Sequence, residues 1–475
     1  MNAGLLLTPG VMKEVRALLP TWLASGAAVV AAALGRDNRL FGIAVFAYGV
    51  GMLALGAQSV GHEYTHRTLA LFLSLPRDRH RLLLTKIAVL ATMLVTLSAL
   101  GWVLLLQKPE FAKWFDPRLF VVVGLAGFFL APWLTMICRG TLAGIVFSVV
   151  VPAMFLIAGD LIGLAMYGSG GGARIDNFKF AFLWRGLFLA CAVAAVSSWR
   201  MFGRLEAIDG RGADLQVPDW VLGGAPGVTP RPQRRNPYWL LIKKEFRLQQ
   251  LTFVVVLIFL TGWAGLTLLA RVTEHLPVIP IDALAVLYFG ILTILIGSLA
   301  SAEERQLGTL EWQSLLPVAS WKQWMLKAGV VFGLVSLLGI ALPAIIMGAP
   351  HPRAWASIAV PVLFITTLSL YVSSLSTSGV RAMVATLPSL VGMFVLMQFA
   401  TLAIYRLHEF RGPMRLLPRV PDALALALVA GFVALALRYG YVNHKSAERN
   451  MRSILKQAAG FGAYLVIALT ALALL

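Results

Sequence analysis

The fold is decided by a segment that occurs twice, as GHEYTHRTLALFLSLPRDRHRLLLTK (Gly61–Lys86) and as AEERQLGTLEWQSLLPVASWKQWMLK (Ala302–Lys327). Aligned at a constant distance of 241 residues, the two copies share several identical positions, and chance does not give such a register. The identical pairs are Glu63 and Glu304, Thr68 and Thr309, Leu69 and Leu310, Leu75 and Leu316, Pro76 and Pro317, and Lys86 and Lys327.

A second similarity lies upstream of each copy, where VMKEVRALLP (Val11–Pro20) resembles LIKKEFRLQQ (Leu241–Gln250). In both stretches apolar residues recur at helical spacing and charged residues fill the opposite face, a pattern that predicts helices lying along the cytoplasmic interface. The charged residues are Lys13, Glu14 and Arg16 in the first stretch and Lys244, Glu245 and Arg247 in the second. These helices either anchor the protein at the surface or have a specific mechanical role.

The composition places both copies in a membrane protein. Of the 475 residues, 59% are hydrophobic and only 13% are charged, whereas soluble domains carry about 25% charged residues. We therefore expect an all-α polytopic membrane protein without a soluble ATPase, kinase or nucleic-acid-binding domain. The net charge of +19 resides mainly in loops on one side, so it indicates the orientation of the chain and no nucleic-acid partner.

Apolar runs of about 20 residues, enough to cross a bilayer, fall into two sets of six. The predicted spans are 18–34, 40–60, 87–106, 119–138, 141–167, 180–198, 252–270, 283–300, 328–347, 358–375, 380–405 and 422–439. The predicted organisation is a first transmembrane repeat at 1–205, a cytoplasmic Gly/Pro/basic linker at 206–236, a second repeat at 237–443 and a C-terminal part at 444–475. That last part is a basic segment followed by an apolar helix, 461–475, which predicts a thirteenth span or a re-entrant or interfacial helix.

Each repeated segment is built as a short helix that is forced to stop, because proline cannot continue a helix at Pro76 or Pro317. The product is a compact cytoplasmic knob, present twice. Its residues are too apolar for a solvated hairpin. They require either a partner surface or packing under the protein's own transmembrane bundle.

The order of these elements resembles the type-2 exporter permeases of the ATP-binding-cassette (ABC) superfamily. The resemblance covers both halves and is stronger in the second, because Arg67 stands in the first copy where Gly308 precedes Thr309. It implies that the entrance segments are elbow helices and the knobs are coupling helices. The implied contacts with an ATPase subunit come from Glu63, Thr68, Leu69, Leu75 and Pro76, and from Glu304, Thr309, Leu310, Leu316 and Pro317.

This resemblance implies a permease that exports a substrate and performs no chemistry itself. Its partners would be ABC ATPase (nucleotide-binding) subunits, in two copies, together with membrane lipid, with ATP and Mg bound to those subunits and no cofactor in this chain. No phosphate-binding G-x-x-x-x-G-K-[ST] sequence occurs in the chain. We expect a multi-pass protein of the bacterial cytoplasmic (inner) membrane with its N-terminus in the cytoplasm. The alternative is a secondary active transporter with twelve spans.

A third reading is a membrane zinc metalloprotease, because His62-Glu63-Tyr64-Thr65-His66 has the H-E-x-x-H pattern of zinc enzymes. Glu63 is already explained by the repeat, the second copy has no histidine at that place, and the sequence identifies no third ligand. We therefore predict no metal site.

One acidic residue, Asp160, is predicted well inside a span, where an isolated charge costs about 2.5–3.5 kcal/mol. Arg185 enters the next span from the same side. The sequence favours a structural Asp160–Arg185 ion pair over a site that contacts substrate.

Overall fold

The computed structural model describes residues 9–34, 38–65, 79–106, 118–168, 172–203, 237–273, 278–309, 313, 318–347, 352–393, 422–446 and 451–474. These residues are almost entirely helical, and none of them lies in a β-strand. Within this part of the chain, eight helices are long and apolar enough to cross a membrane, by length and composition. The all-α, multi-pass membrane architecture expected from the sequence is therefore confirmed.

The described residues of the first half form seven α-helices and two π-helical turns. In chain order they are α1 (Pro9–Leu34), α2 (Asn38–Thr65), α3 (Arg79–Gly101) with the π-helical turn Trp102–Leu106, α4 (Arg118–Leu125), the π-helical turn Ala126–Leu130, α5 (Ala131–Cys138), α6 (Thr141–Tyr167) and α7 (Gly172–Gly203). The entrance segment and the first predicted span form one continuous helix, α1.

In the second half the corresponding two elements are separate helices that meet at Gln249. The helices are α8 (Pro237–Leu248), α9 (Gln250–Thr273), α10 (Val278–Gln306), α11 (Ser320–Leu334) with the π-helical segment Val335–Ala341, α12 (Leu342–Met347), α13 (Pro352–Leu375), α14 (Gly379–Met393), α15 (Asp422–Lys445) and α16 (Met451–Leu474). The C-terminal apolar run thus belongs to a 24-residue helix that begins in the basic segment.

The chain forms two compact units. The first comprises residues 1–33, 37–231 and 253–288, and the second comprises residues 34–36, 232–252 and 289–475. The linker predicted at 206–236 lies outside the described residues.

Each unit contains a close helix crossing at a glycine, and the two glycines are 241 residues apart. A side-chain Cβ at Gly56 of α2 would collide with the backbone carbonyl of Gly127. A Cβ at Gly297 of α10 would lie 2.6 Å from the Cβ of Ser369 and 2.8 Å from the backbone nitrogen of Leu370. Only glycine allows such close approach of two backbones. The repeat seen in the sequence therefore extends to helix packing.

Candidate functional site

The most unusual feature of each unit is a set of buried charged side chains where the entrance helix meets the ends of two further helices. In the first unit it comprises Lys13, Glu14, Glu63 and Lys86, hereafter the first cluster. Lys13 and Glu14 lie on α1, Glu63 near the end of α2, and Lys86 at the start of the third turn of α3. The segment between α2 and α3 is the predicted first knob, so this cluster joins the entrance helix to both roots of the knob.

Two lysines and two glutamates neutralise one another in the first cluster. The Lys86 Nζ donates to Glu14 Oε1 at 2.7 Å and to Glu63 Oε1 at 3.3 Å. The Lys13 Nζ donates to Glu63 Oε1 at 2.8 Å. Glu14, Glu63 and Lys86 are almost completely buried, whereas half of the Lys13 side chain is exposed.

The second unit builds the same arrangement from Lys244, Glu245, Glu304 and Lys327, hereafter the second cluster. The Lys327 Nζ lies 2.6 Å from Glu304 Oε2 and 3.2 Å from Glu245 Oε1. Lys244 donates to Glu304, as Lys13 donates to Glu63. Both ion-pair partners of each buried lysine are therefore the same in the two units.

The match includes the backbone. Lys86 also donates to the carbonyl oxygen of Ser59 at 3.2 Å, and Lys327 donates to that of Ala300 at 2.6 Å. Ser59 and Ala300 are again 241 residues apart. The equivalent lysine of each repeat thus donates to the equivalent backbone carbonyl, although the surrounding sequences differ. Hydrophobic packing alone does not require this duplication.

Such a cluster fastens three helices together. Removing charges from water costs several kcal/mol per ion, and only mutual pairing compensates for that cost. Any movement that separated α1 from α2 and α3, or α8 from α10 and α11, would leave a buried charge unpaired. We therefore expect the entrance helix and the two roots of each knob to move together.

The first cluster has an additional member, His62. Its Nδ1 lies 2.9 Å from the Gln58 carbonyl oxygen, and its Nε2 lies 3.1 Å from Glu63 Oε1 and 3.8 Å from Glu14 Oε2. Glu14, His62 and Glu63 each offer one possible metal-ligand atom, and these atoms lie within 4.8 Å of one another. The ammonium groups of Lys13 and Lys86 already balance both carboxylates, so a divalent cation would add uncompensated positive charge at this site.

In place of a histidine, two glutamines make hydrogen bonds at the second cluster. The Lys244 Nζ donates to Gln313 Oε1 at 2.6 Å. The Gln323 Nε2 donates to the carbonyl oxygens of Gln313, at 3.2 Å, and Val318, at 2.8 Å. Leu82 occupies the position equivalent to Gln323 in the first repeat and cannot make these bonds.

The two knobs differ in sequence at Gly308, where the first repeat has Arg67. Gly308 follows α10 with φ of +70°, and its amide donates to the Arg305 carbonyl at 3.2 Å. This left-handed conformation ends a helix and favours glycine. The second knob therefore begins with a defined helix stop directly before Thr309.

Burial and neighbouring charges separate the pKa values of the acids around the second cluster. Burial raises the pKa of Glu245, while the nearby Lys327 and Lys244 ammonium groups, which outweigh its burial, hold the pKa of Glu304 below its usual range. Glu303 occupies the position equivalent to His62, and burial raises its pKa to about 7. The buried Oε2 of Glu303 makes no hydrogen bond within the described residues.

The intramembrane pair differs from the one expected. Asp160 Oδ1 lies 3.2 Å from the Nζ of Lys179, and Arg185 is exposed. The expected Asp160–Arg185 pair is therefore corrected to Asp160–Lys179. The cause is the register of α6 against α7: a Cβ at Gly159 would lie 3.1 Å from the Cα of Lys179, so the helices touch at this level and Arg185 lies farther along α7.

The entrance helices also differ from expectation on one point. Arg16 and Arg247 are exposed, as expected of a polar face, but Glu14 and Glu245 are buried. The polar face of each helix therefore contacts other charged residues of its own unit as well as solvent.

Several residues of the predicted ATPase contact lie outside the described part of the chain, namely Thr68, Leu69, Leu75, Pro76, Leu310, Leu316 and Pro317. Glu63 and Glu304 are described and belong to the clusters, where they are almost completely buried. Thr309 is half-buried, and its hydroxyl donates to the Glu304 carbonyl at 3.3 Å.

The sequence contained the signal for both clusters, because each member had already been aligned between the repeats. What the sequence did not indicate was that Lys13-Glu14 and Lys86 meet at Glu63. The chain matches no protein-family model, no curated protein and no solved structure.

Proposed function

We propose that this protein is the membrane-spanning permease of an ATP-driven exporter of the ABC type-2 class, with both six-helix halves in one chain. It has no ATPase site of its own. Two separate nucleotide-binding subunits, carrying ATP and Mg, bind under the two knobs. The bacterial cytoplasmic membrane, with the N-terminus inside, is the proposed location.

The observation that supports this proposal best is the duplicated charge cluster. Each cluster lies at the roots of a predicted knob and ties both roots to the entrance helix. A protein driven by a pair of similar ATPase subunits needs two equivalent places at which force enters the membrane domain. Two identical rigid joints, one in each repeat, meet that need.

The clusters would transmit movement in the following way. Closure of the ATPase subunits displaces each knob, and the cluster passes that displacement to the entrance helix and to two spans together. Because separating any of the buried pairs is unfavourable, the movement tilts these helices as a body and does not dissipate in a flexible loop. Tilting both halves changes which side of the membrane a central path faces.

The test is co-purification of an ATPase subunit with the full chain and its variants from the native membrane. We expect Leu310→Asp to weaken association and abolish transport, because a charge in a contact that excludes water remains desolvated and unpaired. Leu69→Asp is expected to be milder, since the first knob departs further from the family pattern. Leu310→Met keeps the volume and is the matched control. Unchanged association and transport in both Asp variants, at equal membrane expression, would show that the knobs are only connectors.

A secondary transporter remains the second candidate, and the intramembrane Asp160–Lys179 pair favours it, since ionisable pairs inside spans are common in ion-coupled carriers. The two candidates separate on energy source. Transport in vesicles that persists without any ATPase subunit and follows an imposed ion gradient would select the secondary transporter. Hydrolysis of ATP by chain shown to be free of other subunits would contradict the permease proposal.

A further inference from the structure

The second unit contains an open apolar groove between the entrance helix α8 and the membrane-spanning helix α11, with a volume of about 740 Å³. One wall is formed by Tyr238, Ile242 and Phe246 of α8. The other is formed by Trp321 and Met325 of α11, both more than half exposed. Large apolar side chains that remain exposed around a groove indicate a binding surface.

Two glycines form the floor of this groove, Gly329 and Gly333. A Cβ added at either position would meet no atom within 4 Å, so the missing side chains leave real space. The lining residues continue along the helix from Trp321 to Leu337. At 1.5 Å per residue this distance is about 24 Å, which exceeds the hydrocarbon depth of one leaflet, about 15 Å.

The groove has a charged end. The Lys322 ammonium lies 3.4 Å from the Tyr238 hydroxyl and 5.7 Å from the centre of the Trp321 ring. Trp, Tyr and Lys together mark the interface between headgroups and acyl chains. The groove therefore begins at the headgroup level, with a cation at its mouth, and becomes entirely apolar toward the bilayer interior.

We propose that this groove is a binding site for one anionic membrane phospholipid. One acyl chain lies over Gly329 and Gly333 between α8 and α11, and the headgroup phosphate lies against Lys322. The length of the groove along α11, its apolar lining and its single charged end correspond to the shape and charge of such a lipid. The site is independent of the proposed ATP-driven function, since the clusters and the knobs are not part of it.

The first repeat supplies an internal comparison. Ala88 and Thr92 occupy the positions equivalent to Gly329 and Gly333, and His80 occupies that of Trp321. These two positions carry side chains where the groove floor has none, and the Thr92 hydroxyl donates to the Ala88 carbonyl on an exposed helix face. A bound lipid is therefore expected in the second repeat and not at the equivalent place in the first.

The test uses the full chain in liposomes of phosphatidylglycerol and phosphatidylcholine, with a trace of either lipid carrying a photoreactive diazirine near the middle of one acyl chain. After irradiation, adducts are quantified on peptides that cover 321–337 and, for comparison, 80–96. We expect enriched labelling of 321–337. The double variant Gly329→Ala, Gly333→Thr copies the first repeat, and we expect it to reduce this labelling to the level of 80–96.

The headgroup is tested with Lys322→Gln. Loss of one cation near the membrane surface should lower labelling by the phosphatidylglycerol probe about fivefold relative to the phosphatidylcholine probe. Gly462→Thr, on an exposed helix position with open space around it, is the matched control and should leave labelling of 321–337 unchanged.

Two results would overturn the site. Equal labelling of both peptides in the wild-type chain and in the double variant would mean that only bulk lipid surrounds the protein. Crosslinks between two chains at 321–337, rising with protein density in the membrane, would mean that a second copy occupies the groove. Neither result bears on ATPase association, so failure here is distinguishable from failure of the proposed function.

Discussion

The first and second clusters contain the same four residues in the same roles, yet their surroundings differ in charge. Beside Glu14 and Glu63 the first cluster has His62, whereas the equivalent position in the second holds Glu303. The Nε2 of His62 lies 3.1 Å from Glu63 Oε1 and 3.8 Å from Glu14 Oε2, whereas Glu303 adds a further carboxyl group next to Glu304 in the chain. We therefore expect the second cluster to depend more strongly on its central lysine.

The residues at the start and end of the knob also differ between the two repeats. In the second unit Gln313, Gln323 and Gly308 fix the start and end of the knob through side-chain hydrogen bonds and a left-handed turn. The charged cluster is thus present in both halves, and within the described residues the second half adds hydrogen bonds to the knob residue Gln313. If the knobs bind ATPase subunits as proposed, the replacement of Gln323 by Leu82 in the first repeat favours the second knob as the stronger point of coupling.

Removal of the central lysine is expected to have the largest effect. Lys327→Met leaves Glu245 and Glu304 facing each other in a buried site, and we expect a loss of about 3–5 kcal/mol in stability. Lys86→Met should cost less, because the His62 Nε2 stays beside both carboxylates of the first cluster. Thermal unfolding in detergent measures both variants.

A double variant provides the control for this prediction. Lys327→Met combined with Glu245→Gln should recover part of the loss in the second cluster, because one of the two facing carboxylates is removed. Equal losses in both lysine variants would show that the neighbours of the clusters have no influence.

The next effect concerns Glu303, whose pKa is raised to about 7 by burial. A raised carboxyl pKa means that the folded state holds a proton that the unfolded state loses, so this residue lowers stability as the pH rises from about 4.5 to 7. Glu303→Gln removes that loss. We expect the variant to be more stable than the wild type at pH 8 and equal to it at pH 4.5, measured by chemical unfolding across this range.

Much of this comparison could be predicted from the sequence, because a constant spacing of 241 residues between identical residues identified Glu63, Glu304, Lys86 and Lys327 before any contact was known. The helical pattern did not predict that Glu14 and Glu245 are buried. A polar face on a helix looks the same in sequence whether it contacts water or charges from other helices, and only the packing of three helices distinguishes the two.

The partner of Asp160 was missed for a related reason. The sequence places two basic residues, Lys179 and Arg185, on the following helix. Which of them pairs depends on a shift of one helix along the other by one to two turns. Gly159 determines this shift, because it allows close contact between the helices at Lys179. The sequence could not reveal this role, since a single glycine in an apolar helix can serve many other purposes.

Removing the Asp160–Lys179 pair is expected to lower stability less than removing either cluster lysine. Asp160→Asn removes one of two acidic partners of Lys179, since Asp176 Oδ1 also lies 3.1 Å from its Nζ. Both members of the pair are partly accessible, so we expect a loss of about 1–2 kcal/mol, below that of either cluster lysine. Arg185→Gln should have no effect on stability. A larger loss in Arg185→Gln than in Asp160→Asn would restore the pairing expected from the sequence.

The smallest expected effect tests the brace at the second knob. Gln323→Leu copies Leu82 of the first repeat and removes both donations, to the carbonyl oxygens of Gln313 and Val318. Each lost hydrogen bond contributes about 1 kcal/mol, and the change acts on the knob and not on the transmembrane bundle. We therefore expect faster amide hydrogen exchange in residues 313–319 with an unchanged unfolding temperature. Faster exchange should be accompanied by weaker ATPase-subunit association, approaching that of the first knob alone. If exchange in this segment stays unchanged, Gln323 does not hold the knob in place, and any stronger coupling through the second knob would have to come from the left-handed turn at Gly308 and from the Lys244–Gln313 hydrogen bond.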